Sequence, residues 1–179
     1  MQKYSKIIST GSYLPEKILT NKDLEKMVDT SHEWIIERTG IESRHIANKN
    51  ESSVDMAYSA SVNAIKNANI DSNVIDMIIV ATTTPERKFP STAVLLQNKL
   101  KNNKAFAFDL NAACTGFIYA LDVADTYIKN GIANYVLVVG TEKITSLLDW
   151  SDRNTCVLFG DGAGVAILGS SNTPGIISN

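Results

Sequence analysis

Short apolar runs alternate along this chain with segments of helical periodicity, and this alternation constrains the fold more than any other feature. The runs 75–82, 105–110 and 135–139 are rich in β-branched and aromatic residues, as expected for buried strands. Apolar residues recur at helical spacing in 54–68 and 117–128. Strands that alternate with helices predict an α/β domain with a mixed, mainly parallel sheet covered by helices.

Capping patterns mark the helix ends. Thr30 with Glu33, and Ser52 with Asp55, match capping boxes and predict that a helix begins after each. Gly40 stands where a helix-terminating glycine is expected.

The C-terminal part predicts two more strands, at 155–159 and 163–168, paired antiparallel across the glycine-rich segment 160–162. A strand rather than a helix follows these glycines, which favours a tight turn over a phosphate loop. Residues 170–179, with Ser, Asn, Pro and Gly, predict a linker.

Composition excludes several classes. The 179 residues carry 17 Lys and Arg against 19 Asp and Glu, a net charge of −2, which argues against a nucleic-acid or anionic-membrane surface. No apolar run approaches the roughly 18 residues of a membrane span. Two cysteines do not make a disulfide framework, so a reducing cytoplasm is the expected location.

Cys114 is the strongest candidate for chemistry. It follows a predicted strand and precedes an apolar helix, where the helix dipole and free N–H groups favour a thiolate. Its small neighbours Ala113 and Gly116 allow a substrate carbonyl to approach. The alternative is that Cys114 is a small residue of the hydrophobic core. Cys156 lies inside a predicted strand and is expected to be core, and neither cysteine stands at metal-ligand spacing with a histidine, so no metal site is predicted.

Trp34 and Arg153 are planar groups outside the apolar stripes, and such groups can sandwich a base. The alternatives are that Trp34 is a partly buried packing residue and that Arg153 is a loop cation. His32 and His45 are the only histidines, and neither has local support as a partner of Cys114. A thiol suited to acyl transfer therefore lacks a convincing base.

Four motifs, in segments 11–15, 34–41, 109–117 and 152–164, resemble β-ketoacyl-acyl carrier protein synthase III. The resemblance implies a thiolase-like fold made of two similar halves, each β-α-β-α-β-α-β-β. Residues 1–169 would form the N-terminal half, and residues 170–179 would lead towards a C-terminal half that this sequence does not contain.

The resemblance implies a condensing enzyme that starts type II fatty acid biosynthesis. Acetyl-CoA, or another short acyl-CoA, would acylate Cys114, and malonyl-acyl carrier protein would then condense with loss of CO₂ to give a 3-oxoacyl-acyl carrier protein. The CoA thioester is a substrate, and no cofactor is implied. A cytoplasmic homodimer is expected, with no nucleic acid and no membrane as partner.

Residue by residue, the resemblance makes Cys114 the nucleophile and places Trp34 and Arg153 around the adenine of CoA. Thr30 and Arg38 match positions near the CoA nucleotide. Phe89 matches a residue that reaches from one subunit into the acyl pocket of its dimer mate.

One departure from the family is informative. The family's catalytic His and Asn lie in the second half, and neither His32 nor His45 matches that histidine. The chain is therefore expected to be incomplete for catalysis. The alternatives are another thiolase-fold acyl-CoA condensing enzyme and a non-catalytic orphan half-domain.

Overall fold

The computed structural model describes residues 4–177, which build one five-stranded sheet and a small two-stranded one. The strands are β1 (Tyr4–Tyr13), β2 (Lys17–Thr20), β3 (Ser43–Ile46), β4 (Met77–Ala81), β5 (Phe106–Leu110), β6 (Tyr135–Lys143) and β7 (Asp161–Ser171). The helices are α1 (Asn21–Leu24), α2 (His32–Thr39), α3 (Ser53–Ala68), α4 (Thr92–Lys99) and α5 (Gly116–Lys129). None of these helices is long and apolar enough to cross a membrane.

The large sheet has the strand order β1-β7-β6-β4-β5. Strand β4 pairs in parallel with β5 and β6, and β7 pairs antiparallel with β6 and β1. With β2 and β3 set aside in their own sheet, the order along the chain is β-α-β-α-β-α-β-β, and the predicted mixed sheet is confirmed.

Both faces of this sheet are covered, as the near-continuous apolar character of β4 predicts. All five residues of β4 are buried. Ile78 and Val80 pack into the cluster that holds α3 and α4, whereas Met77 and Ile79 pack into the cluster that holds α5. Successive side chains of a strand point to opposite faces, so one strand supplies two hydrophobic cores.

The antiparallel pair β2–β3 forms a second, smaller layer with α1 and α2, which lie between the two strands in sequence. Its core contains Leu24, Ile35, Cys156 and Val157, all almost fully buried. The cysteine and the valine come from a distant segment of the chain, so this small core joins the N-terminal layer to the region before β7.

The helix ends confirm two of the capping predictions and correct a third. Ser52 and Asp55 form the expected capping box, and Gly40 ends α2 in the left-handed region at φ 70°. The N-cap prediction for Thr30 is wrong: Ser31 caps α2, because its hydroxyl accepts from Trp34 N–H at 3.1 Å. The helix begins one residue later than the Thr30 pattern indicates.

The predicted strand 155–159 is also wrong. The Asp152 carboxylate accepts from Asn154 N–H at 3.0 Å and from Thr155 Oγ1 at 2.7 Å, which folds this segment into turns. Both edges of β7 are already taken by β1 and β6, so no hairpin forms across 160–162. Cys156 is buried, as expected, but in a turn rather than a strand.

The expected boundary at residue 169 falls two residues before the end of β7 at Ser171. Beyond the strand, the chain stays attached to the domain: Ile176 N–H donates to the Ser5 carbonyl at 3.1 Å, and its side chain packs against the α5 core. The predicted linker therefore begins inside β7, and at Ile176 it is still packed against the domain.

Candidate active site

Cys114 lies at the carboxyl edge of the sheet, between β5 and α5. A single 3₁₀ turn, Ala113–Thr115, joins the strand to the helix, and no side chain caps either the turn or α5. Ala113 has φ 46°, a left-handed conformation that costs a non-glycine residue about 1 kcal/mol. The tight turn leaves Cys114 exposed at the start of a helix, as the sequence predicts.

Neighbouring elements hold this turn in place. A Cβ on Gly116 would lie 3.3 Å from the Ala81 Cβ, so the start of α5 approaches the end of β4 closely. On the other side, the Asp109 carboxylate accepts from Thr92 N–H at 2.8 Å and from Ala93 N–H at 2.7 Å, which ties β5 to the start of α4. The strand end that carries the cysteine is thus fixed on two sides.

Cys114 opens into a cavity of about 540 Å³ at the carboxyl ends of the three parallel strands. Ligands commonly bind at this edge in α/β proteins. The Phe117 ring covers Gly140, where a Cβ would lie 3.3 Å from the ring. The lining comprises Leu14, Ala81, Thr83, Ala113, Cys114, Phe117, Gly140, Thr141, Glu142, Ile144, Phe159, Gly160, Gly162, Ala163 and Gly164.

The predicted planar pair meets at a different place. Arg153 lies with its guanidinium carbon 4.5 Å from the centre of the Trp34 ring, and the guanidinium carbon of Arg38 lies 4.4 Å from the same centre. Arg153 also donates to the Asp29 carbonyl at 2.9 Å. Both arginines are within the range of cation–π attraction.

Thr30 stands next to this cluster in sequence, immediately after Asp29. Its hydroxyl oxygen is buried and has no hydrogen-bond partner within the described residues. A buried hydroxyl without a hydrogen-bond partner is unusual in a folded protein. The structure therefore brings Trp34, Arg38 and Arg153 together and leaves the neighbouring Thr30 unpaired.

The remaining predicted residues lie elsewhere. Phe89 is 88% exposed on the loop between β4 and α4 and does not line the Cys114 cavity. His45 pairs through Nδ1 with the Pro15 carbonyl at 2.6 Å, and His32 Nδ1 lies 3.3 Å from the Asn21 amide nitrogen. Neither histidine lines the cavity, so neither can serve Cys114 there.

Arg44 is a structural residue that the sequence reasoning missed. Its buried guanidinium donates to Asn21 Oδ1 and to the Val157 carbonyl, both at 2.8 Å, and burial lowers its pKa. These bonds join β3 to the turns that follow Arg153. No local pattern marks this residue, because its partner Val157 is 113 positions away.

Glu142 was also missed as a member of the Cys114 cavity. It follows the predicted strand 135–139, which the structure extends as β6 to Lys143. Within residues 4–177, no group of three or more His, Cys, Asp or Glu side chains could hold a metal ion.

The strand order and the cysteine at the start of α5 are those of a thiolase-like α/β fold. Residues 108–179 match the family model described as 3-oxoacyl-[acyl-carrier-protein (ACP)] synthase III. The β-ketoacyl-[acyl-carrier-protein] synthase III of Xanthomonas oryzae pv. oryzae is 56% identical over 98% of this chain and 54% of its own length. That of Ehrlichia canis is 56% identical over 98% of this chain and 56% of its own length.

Solved structures show the same similarity. The 3-oxoacyl-[acyl-carrier-protein] synthase III of Aquifex aeolicus superposes with a TM-score of 0.92 at 54% identity, over 94% of this chain and 55% of that one. The priming β-ketosynthase of the R1128 polyketide pathway superposes with a TM-score of 0.94 at 39% identity, over 97% of this chain and 52% of that one. The resemblance is confirmed: the chain is homologous to β-ketoacyl-[acyl-carrier-protein] synthase III, and it spans about half the length of these relatives.

Proposed function

We propose that this chain is the N-terminal half of a condensing enzyme that starts type II fatty acid synthesis in the cytoplasm. The observation that carries the proposal is Cys114, exposed at an uncapped helix start and open to a cavity at the carboxyl edge of the sheet. The similarity to named synthases III over 98% of the chain supports the same function.

In the first step, the Cys114 thiolate attacks the carbonyl carbon of acetyl-CoA or another short acyl-CoA. The new carbon–sulfur bond forms as the bond to the CoA sulfur breaks, and CoA leaves as a thiol after taking up a proton. The helix start offers N–H groups to the oxyanion that develops on the carbonyl oxygen.

In the second step, malonyl-acyl carrier protein loses CO₂, and the resulting carbanion attacks the acyl thioester on Cys114. A carbon–carbon bond forms, the thiolate is released, and the product is a 3-oxoacyl-acyl carrier protein. Both steps are redox-neutral, and we propose that the enzyme needs no cofactor. The groups that stabilise the enolate are proposed to lie in a second half.

The CoA nucleotide is proposed to bind at the cluster of Trp34, Arg38 and Arg153, with the unpaired Thr30 hydroxyl beside it. Phe89, highly exposed on its loop, is proposed to enter the acyl site of a second subunit in a homodimer.

The second candidate is another condensing enzyme of the same fold with a different acyl primer. The TM-score of 0.94 to a polyketide priming β-ketosynthase favours it. The two candidates differ in primer preference and in the condensing partner.

The test is a condensation assay of the full-length protein with malonyl-acyl carrier protein and a panel of acyl-CoA primers, with products read by mass spectrometry. We expect acetoacetyl-acyl carrier protein from acetyl-CoA, and no product from residues 1–179 alone or from Cys114→Ala. A strong preference for longer primers would favour the second candidate. Turnover by Cys114→Ala at the parent rate would refute both.

A further inference from the structure

The cavity that opens at Cys114 has one charged side chain in its lining, Glu142. The larger side chains around it are apolar: Leu14, Phe117, Ile144 and Phe159. A single carboxylate in a mostly apolar lining affects any charged group that enters, because charge interactions are stronger where water is displaced.

Neutral donors hold the Glu142 carboxylate in place. Its Oε1 accepts from Thr83 N–H at 2.7 Å, and its Oε2 accepts from Thr83 Oγ1 at 3.1 Å and Thr84 Oγ1 at 2.5 Å. Thr84 Oγ1 in turn accepts from Lys143 N–H at 2.8 Å. These bonds link the end of β6 to the segment after β4, and they fix the negative charge without cancelling it.

Among the residues that the structure describes, no cation pairs with this carboxylate. The ion pairs formed among residues 4–177 do not include Glu142. The adjacent Lys143 ammonium is committed elsewhere, because it donates to the carbonyls of Asn48 at 2.8 Å and Glu51 at 2.5 Å. The cavity therefore carries a net negative charge next to Cys114.

We propose that Glu142 determines acyl-group specificity by excluding acyl groups that carry a carboxylate from the acylation of Cys114. A second carboxylate in this cavity would lose hydration and meet a fixed like charge with no cation to pair with. A neutral acyl chain meets the apolar side chains of this cavity and brings no second charge to Glu142. Such exclusion of wrong substrates is a common route to specificity.

The proposal rests on the proposed function, since it concerns the first acyl transfer to Cys114. It does not apply to the malonyl group of the second step, which arrives when the acyl chain already occupies the cavity. Its consequence is that the enzyme loads neutral acyl groups and does not load dicarboxylic ones onto its own thiol.

The test compares two CoA thioesters of matched shape, succinyl-CoA and its neutral isostere 4-methylpentanoyl-CoA. Initial rates of Cys114 acylation are measured by intact mass on the full-length protein. Glu142→Gln removes the charge and keeps an acceptor for Thr83 N–H. We expect it to raise the succinyl to 4-methylpentanoyl rate ratio by about tenfold or more, the order that like-charge repulsion supplies at a partly buried site.

Glu86→Gln is the matched control, because Glu86 is also partly buried but lines a different cavity. It should leave the ratio unchanged. In the parent protein, raising the ionic strength should raise the ratio, because salt screens repulsion. This second measurement needs no variant and so does not depend on how Glu142→Gln folds.

The outcomes separate the two levels of inference. A ratio that changes with neither Glu142→Gln nor salt would overturn the role of Glu142 and leave the proposed function intact. Failure of the parent protein to be acylated at Cys114 by acetyl-CoA would overturn the proposed function, and the role of Glu142 with it.

Discussion

Replacing Arg153 with alanine should weaken the use of CoA thioesters and spare the use of short thioesters. In this structure the Arg153 guanidinium covers the Trp34 ring, so a base can enter between them only if Arg153 moves away. Arg38 lies at 4.4 Å from the same ring and would remain against it. We therefore expect Arg153, rather than Arg38, to face the base across the Trp34 ring.

The magnitude follows from these contacts. An exposed cation–π contact contributes about 0.5–1 kcal/mol, and stacking a base on a planar group contributes about 1–3 kcal/mol. Opening the Arg153–Trp34 contact costs the first amount, and stacking the adenine recovers the second. We therefore expect Arg153→Ala to weaken CoA binding by about 0.5–2 kcal/mol, or roughly 2- to 30-fold in Kd.

The assay measures acylation kinetics of the full-length protein with acetyl-CoA and with the acetyl thioester of N-acetylcysteamine, which lacks the nucleotide. The KM for acetyl-CoA should rise by the stated factor, and the rates with the short thioester should stay unchanged. Arg87→Ala is the matched control, because Arg87 is exposed and its one ion pair, with the adjacent Glu86, is long at 3.9 Å.

Equal losses with both thioesters would refute the reasoning. They would assign Arg153 a structural role through its bond to the Asp29 carbonyl. An unchanged KM for acetyl-CoA would place the nucleotide elsewhere.

Three further outcomes are expected. Gly11→Ala should lower the free energy of unfolding, measured by urea titration, by about 1–3 kcal/mol, because its Cβ would lie 2.3 Å from a carbonyl oxygen of α3. Gly164→Ala should not lower it, because its Cβ would meet nothing within 4 Å. The hydrogen bond to Glu51 raises the Tyr13 pKa from 10.0 to about 12. The stability that this bond contributes is therefore present below pH 10 and lost as the pH rises through 12. Ultraviolet titration should show one tyrosine with a raised pKa, and Glu51→Gln should return that pKa towards 10. Cys156→Ala should reduce stability by about 1–2 kcal/mol in a denaturant titration and leave acylation unchanged.

The sheet and the candidate nucleophile could be predicted because their signals are local. The β-branched run of β4 and the helical stripe of α5 each lie within one short window, and Cys114 falls between two such windows. The N-cap of α2 was missed by one residue because Thr30 and Ser31 are adjacent hydroxyl residues. Only the bond from Trp34 N–H to Ser31 distinguishes them.

The features that the sequence did not predict depend on tertiary contacts. Residues 155–159 have strand-like composition, but the Asp152 carboxylate and the buried Arg44 hold them in turns. Arg44 and Glu142 gain their roles from partners 113 and 59 positions away, and no periodicity in the sequence records such pairs. Propensity within one segment cannot anticipate that kind of contact.

The central claim is that Cys114 is the residue that carries the acyl group. The direct measurement incubates the full-length protein with isotope-labelled acetyl-CoA and locates the label by intact mass and peptide mapping, beside Cys114→Ser and Cys156→Ser. The account predicts one acetyl group, on the peptide that contains Cys114, retained in Cys156→Ser and lost in Cys114→Ser, because a hydroxyl is a far weaker nucleophile without a matched base. Label that reaches the Cys114→Ser protein at the parent rate, or that maps to another residue, would contradict it.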